Sequence, residues 1–170
     1  MIKSLKMKTL DNLYDYLKSL PNMPKAYRIA VAGLIFTDDD KVLLAMRGPK
    51  ARDKHGKFEG VGGGVLPSDR NLHSALRREI REEIGKVKVK IEDLLTVKIL
   101  PGEDGINWVV VDYICRLVSG TPAIMEPKKC TSLSYFSLTE IDKKTLSYFQ
   151  QVAMKAYKKR FGNKPFYKRK

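Results

Sequence analysis

Hydrophobic positions along the chain change period several times, and each change marks an expected element. Leu10, Leu13, Tyr14, Leu17 and Leu20 recur at three- and four-residue spacing, which predicts a short amphipathic helix over 10–20. Pro21 and Pro24 end it, since proline lacks the amide hydrogen that a helix interior needs. Residues 26–36 (AYRIAVAGLIF) form one long apolar run, as a strand buried on both faces requires. The polar turn Thr37-Asp38-Asp39-Asp40 then predicts that 41–47 (KVLLAMR) returns as a hairpin partner.

A basic loop over 48–57 leads to Gly60, Gly62, Gly63 and Gly64, whose missing side chains let backbone approach a phosphate or metal closely. Leu72, Leu76, Ile80 and Ile84 set an apolar helical stripe over 72–84, with Asn71 as N-cap and Gly85 as C-terminal stop. Further strands are expected at 94–100, 107–118 and 132–136. Ser137 and Glu140 have capping-box spacing, and Leu146, Phe149, Ala153 and Tyr157 mark a last amphipathic helix. This order predicts an α/β fold with a mixed sheet sandwiched between helices. Residues 1–25 read as a helical extension, 26–145 as the main domain, and 146–170 as a C-terminal helix with a basic tail.

Composition narrows the class. With 43% hydrophobic and 31% charged residues among 170, the chain is a globular mixture rather than a disordered or fibrous one. No uninterrupted apolar stretch approaches membrane-spanning length, and the N-terminus lacks the apolar core of an export signal, so a cytoplasmic protein without membrane contact is expected. Cys115 and Cys130 lack metal-ligand spacing and are too few for a disulfide framework, which predicts reduced thiols. The net charge of +14 is uneven: +3 lies in residues 1–25, +9 in residues 141–170, and only +2 in between. Basicity therefore belongs mostly to the tail.

The chemistry concentrates in Arg78-Glu79-Ile80-Arg81-Glu82-Glu83-Ile84-Gly85. At about 100° per residue, Glu79, Glu82 and Glu83 fall within an arc of about 100° beside the apolar stripe. Like charges at this spacing repel and weaken an isolated helix. A hard divalent cation converts that repulsion into ligation, and carboxylate oxygens suit Mg²⁺ or Mn²⁺.

These residues resemble the Nudix hydrolases, whose box reads G-x5-E-x7-R-E-U-x-E-E-x-G-U with U a bulky aliphatic. The first Gly falls on Gly64, the Arg-Glu pair on Arg78-Glu79, U on Ile80, the Glu pair on Glu82-Glu83 and the late Gly on Gly85. Lys57-Phe58-Glu59 and Leu43–Arg47 look like the family's flanking strands, and Glu126–Cys130 with Ser134–Leu138 resemble the closing segment of its nucleotide-hydrolysing members. The sequence departs from the box at Arg70 in place of Glu, at Lys86 in place of an aliphatic, and at Val61 in place of Pro. In the family the missing Glu braces the box arginine, here Arg78; neighbouring Asp69 is the candidate replacement.

The resemblance implies hydrolysis of a diphosphate linked to another moiety. Metal ions would be held by Glu79, Glu82 and Glu83 with the Gly63 carbonyl, and Arg78 would orient the carboxylates. Arg47, Glu126, Gly62 and Gly64 are the candidate substrate contacts. The general base stays open among Glu82, Glu103, Asp104 and Glu126. Lys50, Arg52, Lys54 and Lys57 are loop cations able to meet phosphates; His55 reads as an exposed loop residue, His73 as structural, and Trp108 as sheet-face packing. The expected substrate is a nucleoside di- or triphosphate or a related nucleotide. Alternatives are an RNA 5′ end (triphosphate or cap) or a dinucleoside polyphosphate, and a Nudix-fold binding or regulatory module without catalysis. For RNA, the tail cations with Tyr157, Phe161, Phe166 and Tyr167 interleaved would track phosphates while rings stack on bases. The helix at 10–20 is a candidate homodimer element.

Overall fold

The computed structural model describes residues 27–168 except 53, 102–104 and 143. The helix expected at 10–20, with its dimer role, lies outside the described residues, as do Glu103 and Asp104. The described elements are strands β1 (Tyr27–Phe36), β2 (Val42–Arg47), β3 (Phe58–Glu59) and β4 (Val61–Gly64), helix α1 (Leu72–Ile84), strands β5 (Lys88–Pro101), β6 (Asn107–Ser119) and β7 (Cys130–Phe136), and helices α2 (Leu138–Ile141) and α3 (Tyr148–Phe161).

β1 is the axis of the mixed sheet. Its register with β6 is parallel from Tyr27↔Asn107 to Phe36↔Arg116, while β2 and β4 pair with it antiparallel on the other side. β2 also carries β3 and β7, and β5 closes the far side against β6. Because strand side chains alternate, β1 feeds two separate cores. Val31 and Ile35 join Leu43, Val111, Tyr113 and Cys115 beneath Leu72, Leu76, Ile80 and Ile84 of α1. Leu34 and Phe36 join Val42, Leu44 and Ile114 beneath Leu138, Ile141, Met154 and Tyr157 of α2 and α3. The sheet is thus sandwiched between helices, as the pattern predicts, and the long apolar run of β1 is explained by burial on both faces.

The structure corrects the start of one strand and adds detail at the glycines and the tail. β5 begins at Lys88 rather than 94, because Lys88, Lys90 and the bulges between Ile91 and Thr96 hide its alternation. Gly62, Gly63 and Gly64 lie in a strand: they face Ala32, Val31 and Ala30 across β4–β1. A Cβ on Gly62 would stand 2.2 Å from the Val31 carbonyl oxygen, so glycine there is a condition of pairing. The tail aromatics are drawn wholly or partly into the fold. Tyr157 is fully buried, and Phe161, Phe166 and Tyr167 pack against the α3 core, with the Phe166 ring edge-on to Phe36 at 5.5 Å and Tyr167 bonded through its hydroxyl to Asp40. Part of the tail's charge is also neutralised, since Lys158 pairs with Asp142 and Arg160 with Asp93.

Among the described residues no helix is long and apolar enough to cross a membrane. Cys115 is buried and Cys130 half-buried, both as free thiols that burial pushes above the usual range.

Candidate active site

The strand–loop–helix unit β4–α1 sets the site. Asn71 caps α1 by accepting from the Ser74 amide at 2.8 Å, and the Ser74 hydroxyl accepts from the Asn71 amide at 3.0 Å. This reciprocal box satisfies two amides that a helix start otherwise leaves unpaired. Gly85 ends α1 with φ +86°, its amide donating to the Arg81 carbonyl at 3.2 Å. The buried stripe holds α1 on the sheet and turns its carboxylates toward the glycines of β4.

Arg78 is the hub. Its Nε donates to Asp69 Oδ1 at 3.1 Å, and Nη2 donates to Asp69 Oδ2 at 2.9 Å and to the Gly64 carbonyl at 2.8 Å. Nη1 reaches Glu79 at 2.6 Å and Glu82 at 3.1 Å. One guanidinium therefore ties loop, strand and two box carboxylates together. Asp69, in turn, accepts from the Leu66 amide at 2.8 Å, and Arg78 beside it holds its carboxyl below the usual carboxylate range. The bracing expected from an acid at position 70 is supplied one residue earlier.

The three glutamates sit in different environments. Glu82 is half-exposed. Glu79 is largely buried, and burial raises its pKa against the pull of Arg78. Glu83 is the most enclosed: burial pushes it up to about 8, opposed by the Gly62 amide, which donates to Oε2 at 3.1 Å. Gly63 clears the space beside them, since a Cβ there would stand 2.5 Å from Glu79 Oε2.

All three glutamates line one cleft of about 450 Å³. Gly62, Gly63, Gly64, Arg47 and Glu126 also line it, so the candidate site residues are brought together. Arg47 arrives already paired, its Nη1 2.7 Å from Glu59 Oε2. Glu126 is held at the rim by Lys129 at 2.6 Å. Arg52 and Lys54 line the cleft, Arg52 over the Trp108 ring at 4.4 Å and Lys54 over the Phe149 ring at 3.9 Å; Lys50 and Lys57 do not line it. His55 Nε2 donates to the Ala51 carbonyl, 2.6 Å away, and His73 packs edge-on to Tyr113, so both are structural. Trp108 does pack in the core, and it also forms part of the cleft wall.

Sequence reasoning missed part of the cleft lining. Glu59, Asp112, Phe149 and Gln150 line it, although Glu59 and Phe149 stood only in an expected strand and an expected helix. Glu59 accepts from the Ser147 hydroxyl at 2.9 Å, and Gln150 Oε1 accepts from the Gly60 amide at 2.8 Å, so the start of α3 is stitched to β3. Asp112 forms a buried ion pair with Lys98. Gln150 Nε2 and Trp108 Nε1 are buried without a hydrogen-bond partner. The Ser147 cap and the capping pattern around it were the available signal for a helix start, but not for its partner ninety residues away.

Whether these residues fit a divalent cation is answered by the donors. Among the described residues no three ligating groups already form a closed cage: Arg78 engages Glu79 and Glu82, and the Gly62 amide engages Glu83. The set nevertheless fits. Three carboxylates face one cleft, the most buried lacks a cationic partner at hydrogen-bond distance, and the backbone beside them is stripped of side chains.

Comparison with known proteins agrees with this geometry. The chain is 46% identical over 57 residues to the CTP pyrophosphohydrolase of Escherichia coli K12, a match spanning 34% of this chain and 41% of that protein. The crystal structure of a MutT NUDIX hydrolase from Burkholderia pseudomallei superposes with a TM-score of 0.64 at 26% identity, covering 76% of this chain and 97% of that one. A MutT protein from Methanosarcina mazei Go1 has the same fold, with a TM-score of 0.69 at 23% identity over 82% of this chain and 99% of its own. The NUDIX domain description itself matches residues 26–157, and with the glutamates, the glycine strand and Arg78 in place, this chain belongs to the NUDIX family.

Proposed function

We propose that the protein is a divalent-metal-dependent pyrophosphohydrolase acting on a nucleoside triphosphate or a closely related nucleotide. The observation that carries this reading is the enclosure of Glu83 beside Glu79, Glu82 and the Gly62–Gly64 backbone in one cleft. The E. coli relative's name points to a nucleoside triphosphate as the class of substrate.

Glu79, Glu82 and Glu83, with the Gly63 carbonyl, would hold Mg²⁺ or Mn²⁺. Bound there, such a cation neutralises the diphosphate and lowers the pKa of a water. The chain's own residues do the positioning, which is most of what phosphoryl transfer requires. Arg78 fixes the orientation of Glu79 and Glu82. Glu82, the most solvent-open of the three, is the carboxylate in contact with water. Arg47, Arg52 and Lys54 place positive charge along the cleft for the phosphates, with Glu126 at the rim. Residues 1–25 are an N-terminal extension of this domain.

Beside Arg52 and Lys54, which already lie over the Trp108 and Phe149 rings, Gln150 Nε2, Trp108 Nε1 and the Asp112 carboxylate offer polar edges. Buried donors lacking partners favour a ligand that supplies acceptors and reject one that does not. Such polar edges suit a nucleobase. The test is a panel of the common nucleoside triphosphates, with dinucleoside polyphosphates and 5′-triphosphate RNA, incubated with Mg²⁺ or Mn²⁺ and resolved by product mass. Nucleoside monophosphate plus pyrophosphate from a free nucleotide supports the reading. Turnover of RNA ends alone, or binding without turnover, would replace it with one of the other two expected functions.

A further inference from the structure

We propose a second anion site on the back of α1, taking a phosphodiester backbone rather than a nucleotide. Arg77, Arg81, Lys86 and Lys88 line a concavity of about 520 Å³ together with Ser119 and Gly120. It is separate from the hydrolytic cleft. At about 100° per residue, the midpoint of Arg77 and Arg81 lies roughly 170° around α1 from the midpoint of the three glutamates. One helix therefore carries an acidic face into the cleft and a basic face outward.

The cations have no structural employment. All four are exposed, and none forms an ion pair among the described residues, whereas nearby Lys90 and Arg116 are both paired with Glu92. A role as helix C-cap is also taken. The last carbonyls of α1 already accept from backbone amides, Arg81 from Gly85, Glu83 from Met125 and Ile84 from Ala123. Arg77 and Arg81 are four residues apart on one helix, a spacing at which like charges repel.

The hollow itself is built by backbone. Gly85 and Gly120 both have positive φ, and a Cβ on Gly120 would stand 3.1 Å from the Lys86 carbonyl oxygen and the Val87 Cα. Lys88 stands opposite Ser119 where β5 and β6 begin their pairing, so the hollow lies between the helix end and that sheet corner. Its four cations are carried singly, two on α1 and two on the segment that follows it. A chain of phosphates can meet such separate charges one by one, whereas a small anion would need converging donors. This places the nucleic-acid contact away from the tail, where Tyr157 is buried and Phe161, Phe166 and Tyr167 pack partly against the core. The inference holds whatever the cleft hydrolyses.

The test is fluorescence anisotropy of a labelled 12-nucleotide oligouridylate across a salt series, with full-length protein. Four phosphate contacts predict a slope of log K against log salt of about −3. R77Q/R81Q/K86Q/K88Q should flatten that slope and weaken binding about tenfold or more at low salt, with the melting temperature preserved because all four side chains are exposed. K155Q/K159Q/K164Q, on the tail side, should bind like the parent. R77Q/R81Q alone gives half the effect and serves if the quadruple variant misfolds. Parent-like binding by the quadruple variant, no binding by the parent, or loss only in the tail variant would overturn the proposal. Equal affinity for poly-glutamate would overturn the phosphodiester assignment in favour of an acidic protein surface.

Discussion

Asp69 and Arg78 meet through two hydrogen bonds, Nε to Oδ1 at 3.1 Å and Nη2 to Oδ2 at 2.9 Å, across the loop that joins β4 to α1. The pair is mostly enclosed, with 6% of the Asp69 and 15% of the Arg78 side chain exposed. Charge-assisted bonds of this kind contribute about 1.5–3 kcal/mol. Asp69→Ala should therefore lower stability by about 2 kcal/mol in denaturant titration, and should lower turnover because Arg78 would no longer be anchored toward Glu79 and Glu82. Arg70→Glu, which restores the box consensus, should change neither. Recovery of Asp69→Ala by Arg70→Glu would show that the two positions are interchangeable and that the loop is not fixed as described.

The neighbouring glycines separate folding from chemistry. A Cβ on Gly62 meets backbone, the Val31 oxygen at 2.2 Å and the Ala32 Cα at 2.6 Å, whereas one on Gly63 meets the far end of Glu79. Gly62→Ala should lower the melting temperature sharply or prevent folding. Gly63→Ala should fold, because Glu79 can swing aside, and should lose most of its activity. Calorimetry and turnover measured side by side check both. Equal behaviour of the two variants would contradict the placement of Glu79 over Gly63.

Gln150 divides its two ends between fold and cleft: Oε1 accepts from the Gly60 amide, and Nε2 has no partner. Gln150→Glu keeps the acceptor and removes the donor. It should raise KM and alter the ranking among nucleobases, with kcat changed by less than about threefold, since a donor to the bound base acts on substrate and transition state alike. A fall in kcat with unchanged KM would place Gln150 at the reacting phosphates instead.

Asp112 supplies a pH signature. Burial pushes its carboxyl up to about 6 despite Lys98, against an ordinary value of 3.8. Between those values the unfolded chain has released the proton and the folded protein retains it. Stability from this group is therefore full below about pH 3.8 and falls as pH rises to about 6, by about 3 kcal/mol at most. Subtracting the pH–stability curve of Asp112→Asn from that of the parent isolates the slope. A difference that rises with pH in this window would mean that Lys98, not burial, dominates.

The parts of this structure legible in the sequence share one property: their causes are local. The α1 boundaries followed from Asn71, the apolar stripe and Gly85, and the hairpin from a polar turn between apolar runs. The carboxylate cluster followed from helical spacing alone. What stayed hidden depends on partners far along the chain. Gly62 is a strand residue because Val31 and Ala32 lie across from it, and Gln150 belongs to the cleft because it holds Gly60. The tail aromatics looked available because composition does not reveal that Phe36 and Asp40 receive them. Asp69 was visible as a candidate only through the family's need for an acid near Arg78.

Glu83 carries the central claim. It is the most enclosed of the three carboxylates, and Gln preserves its shape and its acceptor for the Gly62 amide while removing the charge. The direct measurement is Mg²⁺-dependent pyrophosphate release from the best nucleoside triphosphate, for parent and Glu83→Gln, with folding verified by melting temperature. Loss of a charged metal ligand worth several kcal/mol predicts a fall of about 100-fold or more in kcat, with fold and melting temperature retained. Parent-level release by Glu83→Gln, or release by the parent that is unchanged in excess EDTA, would contradict the account.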